Sequence, residues 1–263
     1  MTLTAESTFA GTLPAITRTS DHTYYATLPD GRKVGPVPGV TNILKAIDKS
    51  DALIHWASAE TADAAAALHD NGWSELERLV GPTGVKKALM ERRNWKRDEA
   101  AHLGSAVHDL ADQYVKTNVM PELTDSTRAR VENYAEWWKN SGWRLRISEF
   151  TMFNATSEYG GTGDLLAYDQ DNRTVLADLK TGAKGIYREA ILQLTGYTDA
   201  EWISAMGSPT MYPMPKVDRH VLLWVTEAGV REIEVNIGEA ERVAWYATIA
   251  LYRWMQATKG KLT

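Results

Sequence analysis

Residues Gly160–Gly182 read GGTGDLLAYDQDNRTVLADLKTG. Two apolar runs flank a polar, turn-prone centre, the pattern of a β-hairpin. Each run nevertheless carries an acid, Asp164 in the first and Asp178 in the second, and Lys180 follows two residues later. Side chains alternate along a strand, so Asp178 and Lys180 share a face. If Tyr168 pairs with Thr174 across the loop 169–173, Asp164 stands opposite Asp178, with Cβ atoms about 4.5–5.5 Å apart. A one-residue slip would break that register, and the sequence leaves the loop length open.

Two ionised carboxylates at such spacing, among apolar neighbours, repel each other and resist burial. A divalent cation between them removes the conflict and keeps both deprotonated. Lys180 beside them then orients or deprotonates a water, or neutralises charge developing on phosphorus. The alternative is plain: solvated aspartates flanking a turn, and a lysine at a strand end before Thr181-Gly182. Carboxylates, a hard cation and a lysine suit phosphodiester hydrolysis better than peptide or glycoside hydrolysis.

Composition narrows the choice. The chain has 263 residues, 44% hydrophobic and 24% charged, as expected of a globular protein. It has no cysteine, which removes thiolate zinc sites, cysteine-ligated iron–sulfur clusters and a cysteine nucleophile. Any metal is held by oxygen or imidazole, as suits Mg²⁺ or Mn²⁺. The first twenty residues lack the basic start and apolar run of a signal peptide, and no stretch has the length of a membrane span. A cytoplasmic protein with no membrane partner is expected. The net charge of −5 argues against a protein coated in nucleic acid, but not against a local basic groove.

The pattern predicts a helical front half, then helix–β–β–β–α–β–β–α. Residues 22–28 and 32–37 flank Pro29-Asp30-Gly31 as a small hairpin. Thr41 caps a short helix, and helices follow over 51–69 and 73–80. Residues 85–97, VKKALMERRNWKR, hold six basic residues against Glu91. Further helices are expected over 98–115 and 125–139, a strand over 143–153, and a helix over 187–205. A buried strand at 220–225, an edge strand at 231–237 and a helix at 239–256 complete the order. Trp137, Trp138, Trp245 and Trp254 have helical spacing and are expected in the core. The fold class is α/β with a mixed central sheet flanked by helices. Residues 1–97 form an N-terminal hairpin and helical region, either a separate lobe or part of the same domain, and 98–263 the core.

These residues resemble a known family. Gly163-Asp164, then Asp178-Leu179-Lys180 after a short hairpin, resembles the PD-(D/E)xK nuclease motif, with Gly163 in place of the proline. Gln193-Leu194-Thr195-Gly196-Tyr197 resembles the QxxxY motif of the RecB-type branch. Gly104-Ser105-Ala106-Val107-His108 resembles the helix of that branch that carries a metal-binding histidine. The pieces occur in the family's order over residues 104–197. VPGVTNILKAID and LIHWA are similar to N-terminal segments of phage-type and CRISPR-associated relatives. The cysteines that anchor an iron–sulfur cluster in many of those are absent.

The resemblance implies a restriction-endonuclease-like core and a DNA nuclease using Mg²⁺ or Mn²⁺. An exonuclease that leaves 5′-phosphates is favoured, since that branch is mostly exonucleolytic. Asp164 and Asp178 become metal ligands, Lys180 the catalytic lysine, the Leu179 carbonyl a further ligand, and His108 a ligand from the packed helix. Gln193 and Tyr197, one helical turn apart, support the site or hold DNA, with Thr181 beside them. Glu149 either aligns with an acid found before the first aspartate in relatives or is a surface glutamate of its strand.

Lys184 and Arg188, just after the second strand, stand where a scissile strand would pass. Arg92, Arg93, Trp95 and Lys96 form either a phosphate-contacting wall with a base-stacking tryptophan or a solvated helix face. His108, Gln193 and Tyr197 have core-lining alternatives. DNA, single-stranded or at a duplex end, is the expected partner. No phosphate loop for a motor is present, so a helicase or annealing protein would be a separate partner, in phage-type recombination or DNA processing. Two rivals stay open: a non-catalytic nucleic-acid-binding or assembly subunit of the same fold, and a hydrolase of small phosphoesters.

Overall fold

The hairpin quoted above is pinned by its own loop. One oxygen of Asp169 accepts the backbone N–H groups of Asp171 (3.0 Å) and Arg173 (2.9 Å). The other accepts Arg173 Nε (2.9 Å) and Arg219 Nη1 (3.1 Å). Asn172 takes the left-handed conformation, φ 61°, that the turn requires. Tyr168 is thereby held opposite Thr174, and Leu165 opposite Ala177, so the expected register is the observed one.

The computed structural model describes residues 15–20, 22–47, 50–68, 72–182, 185–208 and 210–261. A first sheet consists of β1 (Ala15–Arg18), β2 (Tyr24–Thr27) and β3 (Lys33–Val37), in that order. The helices α1 (Val40–Ile43), α2 (Ser50–Ala66), α3 (Gly72–Val80), α4 (Pro82–Thr117) and α5 (Asp125–Ser141) follow. Then come β4 (Arg144–Asn154), β5 (Tyr159–Tyr168), β6 (Thr174–Lys180), α6 (Glu189–Thr198), β7 (Trp202–Ala205) and β8 (Tyr212–Pro213). β9 (Arg219–Thr226), β10 (Gly229–Val235) and α7 (Glu239–Thr258) end the fold.

The large sheet has the order β10-β9-β6-β5-β4-β7-β8. β6 and β9 are parallel and the other pairs antiparallel, because α6 and the strands after it carry the chain across between β6 and β9. The class is therefore α/β, a large mixed sheet flanked by helices. α5 packs on β9 and β10, α6 on β6, and α7 on α6. Leu166, Leu176, Leu222, Leu194 and Trp245 meet in the core between the sheet, α6 and α7.

Several expectations change. The helix expected over 98–115 starts earlier, and the basic run 85–97 belongs to the same helix, α4, since no proline interrupts 83–117. The helix expected over 187–205 ends at Thr198. There Asn154 Nδ2 donates to the Asp199 carbonyl at 2.6 Å, and residues 202–205 pair with β4 as a strand. Gly39, not Thr41, caps α1. Trp245 is fully buried, but Trp254 is 64% exposed, so helical spacing alone misassigned it.

The chain divides into two compact units, Met1–Ile47 with Val107–Thr263, and Asp48–Ala106. The N-terminal sheet belongs to the same unit as the large sheet, and β2 contacts β5. No helix among the described residues is long and apolar enough to cross a membrane.

Candidate metal centre

Two ladders place three acids in one row. Ser148 pairs with Leu165 and Phe150 with Gly163, which brings Glu149 level with Asp164. The β5–β6 register, carried one step past Leu165–Ala177, brings Asp164 level with Asp178. Glu149 has φ 47° inside a strand. A non-glycine residue in that region carries about 1–3 kcal/mol of strain, and here it redirects the side chain at the site.

Ligand atoms of His108, Glu149 and Asp164 lie within 4.8 Å of one another. His108 Nδ1 is 3.5 Å from Asp164 Oδ2, and the same oxygen accepts the Leu179 N–H at 2.6 Å. The N–H and C=O of one strand residue leave the same edge, so the Leu179 carbonyl also points toward β5. Asp178 is 1% exposed and ion-paired with Lys180. The ammonium engages Oδ2, and Oδ1 receives no hydrogen bond among the described residues. A void of about 10 Å³, room for one ion or water, is bordered by His108, Glu149, Asp164 and Leu179.

The charges act on each other. Burial, with the Asp164 charge second, raises Glu149 to about 7. Burial, reinforced by Asp164 and opposed by Lys180, raises Asp178 to about 6. Burial alone would lower His108, but the Asp164 carboxylate overrides it and raises the imidazole to about 9. Burial would likewise raise Asp164, yet His108, Lys180 and the Leu179 N–H hold it below the ordinary carboxylate range. Burial opposes the charge on Lys180, but Asp178 and Asp164 outweigh it and keep the ammonium protonated.

The donor set fits a hard divalent cation. Oxygen ligands dominate, one imidazole joins them, and Asp178 offers one buried oxygen, Oδ1, without a hydrogen bond among the described residues. The set expected from sequence is His108, Asp164, Asp178 and the Leu179 carbonyl. Glu149 forms a trio with His108 and Asp164, and Asp178 is ion-paired with Lys180. The absence of cysteine excludes an iron–sulfur cluster ligated by this chain's thiolates.

Lys180 Nζ donates to Gln193 Oε1 at 3.0 Å, and Gln193 Nε2 donates to the Tyr197 hydroxyl at 2.7 Å. Tyr197 is 2% exposed. Its hydroxyl, inside the fold, fixes the Gln193 amide. Sequence reasoning missed Tyr24. Its hydroxyl bonds Thr162 Oγ1 at 3.1 Å, two residues before Asp164, and its ring lies over Gly160. The Gly160-Gly161 pair in a strand was the available signal, since such glycines mark close approach of another segment.

Other expected residues lie apart. Thr181 is half-buried at the end of β6. Arg188 is exposed at the start of α6, lining a groove with Ile47, Ile191 and Ala240. Lys184 lies outside the described residues, as do the side chains of Arg92 and Arg93. Trp95 is 55% exposed, and Lys96 is ion-paired with Glu60 at 2.8 Å, both within the second unit.

No protein-family model matches the chain, and no curated protein does. Among solved structures, matches include the crystal structure of SSO0001, at 14% identity and a TM-score of 0.28. That match covers 47% of this chain and 54% of the other. It spans about half of each chain and, at that score, carries no argument about fold or activity.

Proposed function

We propose that this chain is a divalent-metal-dependent deoxyribonuclease with a restriction-endonuclease-like core, acting as an exonuclease on single strands or duplex ends. The observation that carries the reading is one oxygen, Asp164 Oδ2, shared between His108 and the Leu179 N–H, with the Asp178–Lys180 pair on the adjoining strand. The motif resemblance supplies the substrate class and the exonucleolytic preference.

His108, Glu149 and Asp164 would hold Mg²⁺ or Mn²⁺, with Asp178 and the Leu179 carbonyl as neighbouring donors. When bound, the cation supplies Lewis acidity towards the phosphodiester oxygens and the attacking water. Lys180 acts as a cation and not as a base, because its carboxylate neighbours keep the proton on Nζ. Its ammonium, positioned by Asp178 and Gln193, stabilises the negative charge that grows on the transferring phosphoryl group. Tyr197 keeps the Gln193 amide oriented with its oxygen towards Lys180.

The test is digestion of end-labelled single- and double-stranded DNA, with a circular control, in Mg²⁺, Mn²⁺ or EDTA. Metal-dependent shortening from ends, lost in Asp178→Ala and Lys180→Ala, is expected. Full activity in both variants would refute the assignment. Binding without cleavage in every metal would instead assign the non-catalytic subunit.

A further inference from the structure

A cavity of about 490 Å³ opens beside β1, β4 and the turn after β7, all within the first unit. Thr17, Thr19, Ser20, Thr151 and Ser208 line it, and Arg18 is the one charged residue among those lining it. Arg18 Nη2 donates to the His22 ring at 2.8 Å, a contact that leaves the positive charge in place. Its Nε is buried with no hydrogen-bond partner among the described residues, so the terminal nitrogens of the guanidinium are the ones that can meet a ligand in the cavity.

The wall opposite β1 is fixed. Ser204 Oγ donates to the Ser208 carbonyl at 2.5 Å, Ser208 N–H donates to Ala205 at 2.9 Å, and Gly207 supplies the turn's φ of 75°.

This is oxyanion chemistry of a particular shape. A planar carboxylate is satisfied by the guanidinium fork alone. A tetrahedral phosphate has acceptors left over, and the hydroxyl groups of Thr17, Ser20 and Thr151 in the lining match them, whereas that of Thr19 already donates to the Thr23 carbonyl. The volume exceeds what one phosphate fills, so an attached sugar fits as well. Thr151 lies two residues along β4 from Glu149, so the cavity and the candidate metal centre share a strand.

We infer that this cavity is a phosphate-binding site that seats a non-scissile backbone phosphate of the strand being cut. The strand assignment rests on the nuclease reading above; the phosphate chemistry does not.

Anisotropy of a labelled single-stranded oligonucleotide without terminal phosphate, measured in EDTA to prevent cleavage, tests it. Arg18→Gln is expected to weaken binding about tenfold and to reduce the slope of log K against log salt by about 0.7. Arg18→Lys keeps the charge, so the slope should persist while affinity falls. Thr151→Val removes one hydroxyl and should weaken binding by a smaller factor, which keeps the test open should Arg18→Gln fail to fold.

Unchanged affinity and slope in a folded Arg18→Gln overturn the proposal. Thymidine 5′-monophosphate and inorganic phosphate, used as probes, separate the sources. Arg18-dependent binding of those alone, with oligonucleotide affinity unaffected, overturns the strand assignment in favour of a free phosphomonoester. Failure of the nuclease reading registers elsewhere, as absence of metal-dependent hydrolysis by the wild-type protein.

Discussion

Asp164 and Leu179 are joined side chain to backbone, Oδ2 accepting the Leu179 N–H at 2.6 Å. Beyond Leu165–Ala177 the hairpin ladder gives way to this bond. One carboxylate thus substitutes for a strand-pairing carbonyl and offers a ligand atom to the His108–Glu149 cluster. The two tasks separate by substitution. Asp164→Asn keeps an oxygen able to accept the Leu179 N–H but removes the charge that pairs with His108, so cleavage is lost and the stability lost should be larger at neutral pH, where His108 is protonated, than above about pH 9. Asp164→Ala orphans that N–H and should cost about 1–3 kcal/mol in urea unfolding. In both variants the His108 titration, followed by NMR, should fall from about 9, because Asp164 is the main cause of its elevation. An unmoved His108 titration would contradict the assignment.

The Lys180–Gln193–Tyr197 relay predicts coupling. Gln193→Ala removes the acceptor that, with Asp178, fixes Nζ, and Tyr197→Phe removes the partner that fixes the Gln193 amide. Each should lower kcat by about tenfold, with little change in KM. The double variant should lose scarcely more than Gln193→Ala alone, since both act through one ammonium. Multiplicative losses would mean that Tyr197 acts independently of Gln193.

Much of this arrangement was legible in one stretch of sequence. Alternation around Asp164 and Asp178 gave the hairpin, and the polar loop bounded the register. What was missing, the loop's internal geometry, is set by Asp169 capturing backbone from 171 and 173 and side chain from Arg219, fifty residues away. Glu149 was read only as aligned with a family acid, because a left-handed residue inside a strand has no sequence signal for glutamate. Tyr24 was read as a hairpin residue because its contact with Thr162 spans 138 positions. Trp245 and Trp254 share a helix but not a face: one presses on Gly196 and Tyr159, the other reaches solvent. A helical count without the position of the sheet does not tell them apart.

The seam between the two sheets is testable at Gly160. Its N–H donates to the Pro38 carbonyl at 3.0 Å, and a Cβ there would fall 2.3 Å from Tyr24 Cγ. Gly160→Ala must push Tyr24 away from Thr162 and from the strand that carries Asp164. A loss of about 1–3 kcal/mol is expected, together with reduced cleavage by the surviving folded fraction. Gly160→Ala combined with Tyr24→Ala should recover part of the stability by clearing the clash. No recovery would mean that the strain lies elsewhere.

The pH dependence of metal binding follows from three protonated groups. Glu149 is raised to about 7 and Asp178 to about 6, above their unfolded values of about 4.3 and 3.9. Their contribution to stability is full below about pH 4 and is lost as pH rises through about 6 and 7. His108, raised to about 9 from about 6.5 unfolded, contributes fully below about pH 6.5 and loses it as pH rises through about 9. Asp164 is lowered, so its contribution is lost only as pH falls below the ordinary carboxylate range. Across the neutral range the metal-free fold therefore weakens as pH rises. A cation that takes the place of these protons binds more tightly over the same range and releases protons as it binds. The melting-temperature gain from saturating Mn²⁺ should be larger at about pH 8 than at about pH 5. Calorimetry in buffers of differing ionisation enthalpy should register proton release near neutrality. A gain that is flat with pH, or larger in acid, would remove Glu149, Asp178 and His108 from the metal's surroundings.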